Sequence, residues 1–263
     1  MLRNIKIYCL YFSSNIQGKM EYKLDFLLGN LASILGQIIG IAFVWVLFER
    51  IGDLNGWTLP EIMLIYGFAA LPYGLFEVFL NGVWRLAYMI HMGTFDLCLT
   101  RPIRPLLLVV TEESATHGFG TFATGLVIVI AASRMLGIEW TAPLVLYAIL
   151  AVVCGTVIYL SVNLITATCS FWFQGGRTSI MFMVQRLRDF ANYPLTIYTA
   201  PIRVLLSWVI PFGFAGFYPA TLFLGRGEFT AYVYLVPVVT VVFFALAYGF
   251  WRLGLNRYQS TGS

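Results

Sequence analysis

The chain has 263 residues, of which 60% are apolar, 17% aromatic and 11% charged, with a formal net charge of +4. A soluble domain carries about a quarter charged residues, so this composition excludes a water-soluble enzyme or nucleic-acid-binding domain and leaves an integral membrane protein.

Read from the N-terminus, residues 1–23 form a separate segment. Within 1–18, Ile5, Tyr8, Phe12 and Ile16 share one helical face, while Arg3, Lys6, Ser14 and Gln17 share another. That pattern predicts an amphipathic helix lying in the headgroup plane; the plainer reading is a frayed tail. Arg3 and Lys6 are followed by no clean apolar core and no small-residue cleavage site, unlike a cleavable signal.

Crossing about 30 Å of hydrocarbon takes about 20 helical residues. Runs of that length cover 25–48, 60–83, 106–133, 142–170 and 229–251, within a single membrane domain over 24–263. Thr58 and Glu61 form a capping-box pattern ahead of the second run, and Pro105 suits the first turn of the third. The stretch 171–227 is ambiguous. Hydropathy favours a crossing at 202–224, but Pro201, Pro211 and Pro219 with Gly213 and Gly216 divide it. The alternative, 178–199, carries Arg186, Arg188 and Asp189, each costing about 2.5–3.5 kcal/mol if stranded in mid-bilayer. An Arg186–Asp189 pair at i, i+3 offsets part of that cost.

Basic residues set the orientation. Arg3, Lys6, Lys19 and Lys23, then Arg85, Arg101 and Arg104, then Arg177, Arg186 and Arg188, then Arg252 and Arg257 fall on one side. Arg50, Arg134 and Arg226 fall on the other. Both termini are therefore expected in the cytoplasm, with an even number of crossings.

Several chemistries find no support. There is no Gly-x-x-x-x-Gly-Lys-Ser/Thr phosphate loop: Gly18-Lys19 runs into Met20, and Gly175-Gly176-Arg177 lacks the lysine. Cys9, Cys98, Cys154 and Cys169 offer no disulfide or metal pairing, and His91 and His117 have no zinc-site spacing. His91 and Asp96 have the His-x-x-x-x-Asp spacing that resembles membrane-bound glycerolipid acyltransferases, without the companion motifs.

Between the second and third runs the chain reads Gly93-x-x-Asp96, then Leu99-Thr100-Arg101-Pro102. Further on come Asn192-Tyr193-Pro194-Leu195, Pro211-Phe212, Tyr218-Pro219-Ala220 and Gly225, and the chain closes on Arg257-Tyr258-Gln259-Ser260-Thr261-Gly262-Ser263. In this order the blocks resemble a bacterial family of ABC permeases with the type-2 exporter fold. The resemblance implies an all-α integral membrane protein of the bacterial inner membrane. Its six transmembrane helices would include a fifth near 178–199, followed by re-entrant helices over 201–224 that contain Pro201, Pro211 and Pro219 and place Arg203 outside. It implies that ATP and magnesium are handled by separate ATP-binding subunits, and that a second permease, identical or related, completes the transporter. The segment 84–104 would be the coupling helix, with Arg85, Gly93, Asp96, Arg101, Pro102 and Arg104 meeting the ATPase, while Trp84, Leu86 and Ile90 hold it to the membrane. The competing reading of those arginines is a lipid anchor.

Candidate residues for a cavity at the permease interface are Glu77, Asn81, Glu112, Glu113, Thr116 and Gly120, because ionisable groups buried in a membrane are costly unless used. Glu112 and Glu113 lie only about 10 Å past Pro105 and suit the headgroup layer equally, where Glu113 and His117 could pair at i, i+4. The cargo would be hydrophobic or amphipathic: a lipophilic cation, a lipid or a peptide. The alternatives are a membrane anchor or assembly component without transport, and an acyltransferase using His91 and Asp96. Gly29, Gly36 and Gly40 in the first run allow close helix contact, the last two at Gly-x-x-x-Gly spacing.

Overall fold

The computed structural model describes residues 2–51, 54–172 and 177–258, with side chains described throughout except at 2–6, 9, 51 and 177–179. The Gly175-Gly176 turn, the closing block 259–263 and the side chains of Arg3, Ile5, Lys6, Cys9 and Arg177 fall outside that set. Regular structure among the described residues is helical, apart from one isolated β-bridge between Leu54 and Trp57.

Helix α1 (Leu2–Glu21) covers residues 2–18 of the stretch expected to be an amphipathic helix. It packs against the protein: Tyr8 Oη donates to the Phe79 carbonyl at 2.7 Å, Asn15 Nδ2 donates to the Thr111 carbonyl, and Phe12 stacks on Phe79 at 4.9 Å. Helix α2 (Lys23–Ile51) follows after one residue and is largely exposed along its apolar length.

Helix α3 (Leu59–Leu80) begins as its capping pattern predicts, with the Glu61 carboxylate accepting the Thr58 amide at 2.8 Å. It is the most buried of the long helices. A tight turn at Asn81–Arg85 carries the chain into α4 (Leu86–His91) and α5 (Asp96–Thr100). Helix α6 (Pro105–Thr111) starts on its proline and stops after two turns; a non-helical stretch then leads to α7 (Gly118–Leu136). The run expected over 106–133 is thus broken at 112–117. The Ala115 amide donates to the Glu77 carbonyl at 2.9 Å, so the break is tied to α3 through backbone polar groups.

The most extensive interface joins α3 to α7. A Cβ on Gly74 would lie 2.6 Å from the Phe122 amide nitrogen, and one on Gly118 would lie 2.6 Å from Glu77 Cβ, so the two backbones approach as only glycine allows. Gly137, in the left-handed region at φ 65°, ends α7. Helix α8 (Ala142–Thr168) then packs on α3 and on α12 (Thr230–Arg257), the last long helix.

Between them lies the region that was ambiguous. Helix α9 (Arg177–Phe190) spans 14 residues, about 21 Å, so the fifth crossing expected over 178–199 is not one continuous helix. It stops before Pro194, whose ring suits the extended residue ahead of the short turn Leu195–Ile197. Beyond it, α10 (Ala200–Val204) continues through a wide turn to Val209, and α11 (Phe217–Phe223) ends a second piece beginning at Phe212. The two pieces are bent by 72° about Ile210 and Pro211. Five helical stretches among the described residues are long and apolar enough to cross a membrane, or six when this bent pair is taken as one.

Candidate functional site

A cavity of about 510 Å³, lined by polar and charged side chains, lies between α2, α3, α7 and α9. Its floor is Glu77, 6% exposed, on the face of α3 turned to α7. Glu77 Oε1 lies 3.1 Å from His117 Nε2, and Oε2 accepts from Thr121 Oγ1 at 3.0 Å. Thr121 is also 2.8 Å from Ser33 Oγ on α2, and the Gly120 amide donates to Asn30 Oδ1 at 2.8 Å. The short side chains of α2 therefore join α7 through hydrogen bonds that a buried polar network needs. The bond to Glu77 holds the His117 imidazole above its usual range, against the opposing effect of burial.

Helix α9 closes the other wall. The Arg188 guanidinium stacks 3.8 Å over the Tyr73 ring and pairs with Asp189 at 2.9 Å, while Gln185 bonds to the Tyr73 hydroxyl. The anticipated Arg186–Asp189 pair is present at 3.9 Å, on the exposed side of α9. Arg188 was not among the cavity candidates. The signal that could have found it is its position three residues past Gln185, on the side of α9 that meets Tyr73.

Of the candidates, Glu77 lines this cavity, while Asn81, Glu113 and Thr116 line a neighbouring one of about 460 Å³ that shares His117 and Gly29 with it. Glu112 is exposed at the end of α6 and lines neither. The expected Glu113–His117 pair does not form, because residues 112–117 are not helical and the i, i+4 relation is lost. Glu113 instead pairs with Lys19 at 3.4 Å and Arg85 at 3.8 Å, and His117 turns to Glu77.

The connecting segment 84–104 folds as α4, a turn with Gly93 at φ 70°, and α5. Leu86 and Ile90 are buried in the protein core, where they were expected to face the membrane. Trp84 packs against Phe182 of α9. Phe95, fully buried, meets Tyr258 at 4.9 Å, Phe171 at 5.5 Å and Trp251 at 6.2 Å. The segment is thereby pinned to the ends of α8 and α12. Asp96 lies beside Tyr258, and burial together with this carboxylate pushes the Tyr258 phenol up to about 12. Arg101 donates to Tyr11 Oη on α1 at 2.7 Å, and Arg85 lies over the Tyr88 ring; Pro102 and Arg104 are exposed.

At the opposite end of the helices, Arg226 donates to Glu61 Oε1 at 2.8 Å and to the Gly56 carbonyl at 3.0 Å, with its guanidinium 4.4 Å from the Trp57 ring. Trp57 Nε1 donates to Thr196 Oγ1 at 2.7 Å. This cluster joins the turn before α3 to both ends of the 195–226 region. No group of three or more metal-ligating side chains occurs among the described residues.

A sequence model for the family described as "ABC-2 family transporter protein" matches residues 34–262. Neither a curated protein nor a solved structure matches the chain.

Proposed function

Since the chain belongs to the ABC-2 family of transporter proteins, we propose that it is the membrane-spanning permease subunit of an ATP-driven exporter in a bacterial inner membrane, powered by separate ATP-binding subunits. The observation that carries this reading is the burial of Phe95 among Phe171, Trp251 and Tyr258. A soluble partner that pushes on 93–104 moves the ends of α8 and α12 with it, because a packed aromatic cluster transmits displacement without absorbing it. Asp96, Arg101, Pro102 and Arg104 are the residues that would meet the ATPase, with Arg101 also keeping α1 in register through Tyr11.

The cargo is amphipathic in this reading. The 510 Å³ cavity mixes a carboxylate, a guanidinium and tyrosine rings with the small residues Gly29, Ala32 and Gly36. It opens beside α2, whose exposed apolar surface suits a second permease chain across which the cargo passes by alternating access. A lipophilic cation, a lipid or an amphipathic peptide all suit such a lining.

The test is gentle purification of the tagged chain from its native host, followed by mass spectrometry of what accompanies it. Recovery of an ATP-binding subunit, lost in the double reversal Asp96→Lys, Arg101→Glu, supports the permease and its coupling segment. A well-folded preparation with no such subunit overturns the reading in favour of an anchor or assembly component.

A further inference from the structure

Away from the polar cavity, a groove of about 350 Å³ runs between α3, α7 and α8. Its walls are wholly apolar, with Phe68 and Leu71 on one side, Phe122 and Val129 on the second, and Ala148 and Val152 on the third. At Leu126, Val129 and Trp140 it continues into a second recess of about 410 Å³ that ends at Ser133 and Arg134. Ser133 is 2% exposed, and its hydroxyl has no hydrogen-bond partner among the described residues. Arg134, in the last turn of α7, is exposed and makes no ion pair among them, although Glu139 lies in the loop that follows.

We propose that this groove is a binding site for one phospholipid with an anionic headgroup, its acyl chain lying along α3, α7 and α8 and its phosphate resting on Arg134. An apolar channel that ends in an unpaired cation and an unsatisfied hydroxyl has the polarity sequence of such a lipid. Trp140 stands at the junction, where an indole prefers the border between acyl chains and headgroups. The carbonyl end of α7 repels an anion, so the headgroup's hold rests on the guanidinium and not on the backbone. The site lies at the end of α7 remote from the connecting segment and shares no residue with the polar cavity. It does reach the bent pair: Phe223 on α11 lies 4.8 Å from the Phe68 ring and 5.2 Å from the Trp140 ring. A lipid seated there braces Trp140 against the bent region, so occupancy stiffens that region as well as filling the groove.

The experiment uses the full chain in nanodiscs of phosphatidylcholine containing one-fifth phosphatidylglycerol, released into the gas phase for native mass spectrometry. The expected result is one retained phosphatidylglycerol per chain, at least fivefold enriched over its share of the bilayer. Arg134→Gln, an exposed change, should abolish the enrichment and leave the melting temperature of the lipid-free protein unchanged. Ala148→Trp, which fills the groove, should remove retained lipid of both kinds; if it unfolds the chain, Arg134→Gln alone decides. Equal retention of the two lipids by the wild type, or enrichment that survives Arg134→Gln, overturns the proposal.

Discussion

Glu77 and His117 face each other at 3.1 Å across the seam between α3 and α7, one buried on α3 and the other immediately ahead of α7. The carboxylate favours the protonated imidazole, so the folded state binds that proton more tightly than the unfolded chain. The resulting stability is fully present below the ordinary imidazole value of 6.5 and is lost as pH rises through the higher folded value. Thermal melting in detergent should therefore give a higher midpoint at pH 6 than at pH 8. His117→Gln should flatten that difference; a pH slope unchanged in the variant would assign it elsewhere.

Gly74 and Gly36 make opposite predictions for the same substitution. Alanine at Gly74 places a methyl 2.6 Å from the Phe122 backbone, which cannot step aside, and should cost about 1–3 kcal/mol. Alanine at Gly36 meets nothing within 4 Å and should be neutral or raise helix stability by up to about 1 kcal/mol. Melting midpoints of the two variants, measured side by side, check both.

Phe95→Ala removes a ring that touches three others and should destabilise the chain by about 3–5 kcal/mol if the cluster cannot collapse. Phe95→Leu keeps most of the volume but loses the edge contacts, at a cost of less than about 1.5 kcal/mol. The leucine variant should still capture an ATP-binding subunit, yet lower cargo-stimulated ATP hydrolysis. Equal stimulation in wild type and variant would remove Phe95 from the transmission path.

Arg226 combines an ion pair with stacking on Trp57, and lysine reproduces only the charge. Arg226→Lys should therefore lose the stacking while keeping a cation beside Glu61, and cost less than Arg226→Ala, which should cost about 1–3 kcal/mol by leaving the Glu61 carboxylate without its cation. Limited proteolysis of the turn at 54–58 reads the loosening directly. Protection as strong as in the wild type would mean that Trp57 and Thr196 hold the turn alone.

The helical, membrane-spanning character of the chain was legible because hydropathy over 20 residues is a bulk property that tertiary contacts cannot reverse. The start of α3 was legible too, since Thr58 and Glu61 cap locally. The break at 112–117 was not: no proline or glycine lies inside it, and it is the bond from Ala115 to the Glu77 carbonyl, 38 residues back, that ties it to α3. Glu77 could be singled out as a buried acid, but its partner could not, because His117 looked closest to Glu113 in sequence. The packing role expected of Gly36 and Gly40 divides in the same way, with Gly40 held against the Tyr66 hydroxyl and Gly36 left facing the cavity. The bent pair was signalled by its prolines, though which stretch would be the longer helix was decided by the halt of α9 before Pro194.

The glycine contacts between α3 and α7 have a mechanical corollary. Two backbones interlocked at Gly74 and Gly118 cannot rotate or slide past each other by even one residue without collision, so this pair must travel as a solid strut in any change of shape. Among the interruptions of the helical rods, two border the cavity and offer places to bend, at 112–117 and between Phe190 and Pro211. The cavity lies between the strut, α2 and α9, so a pivot at either joint changes its width.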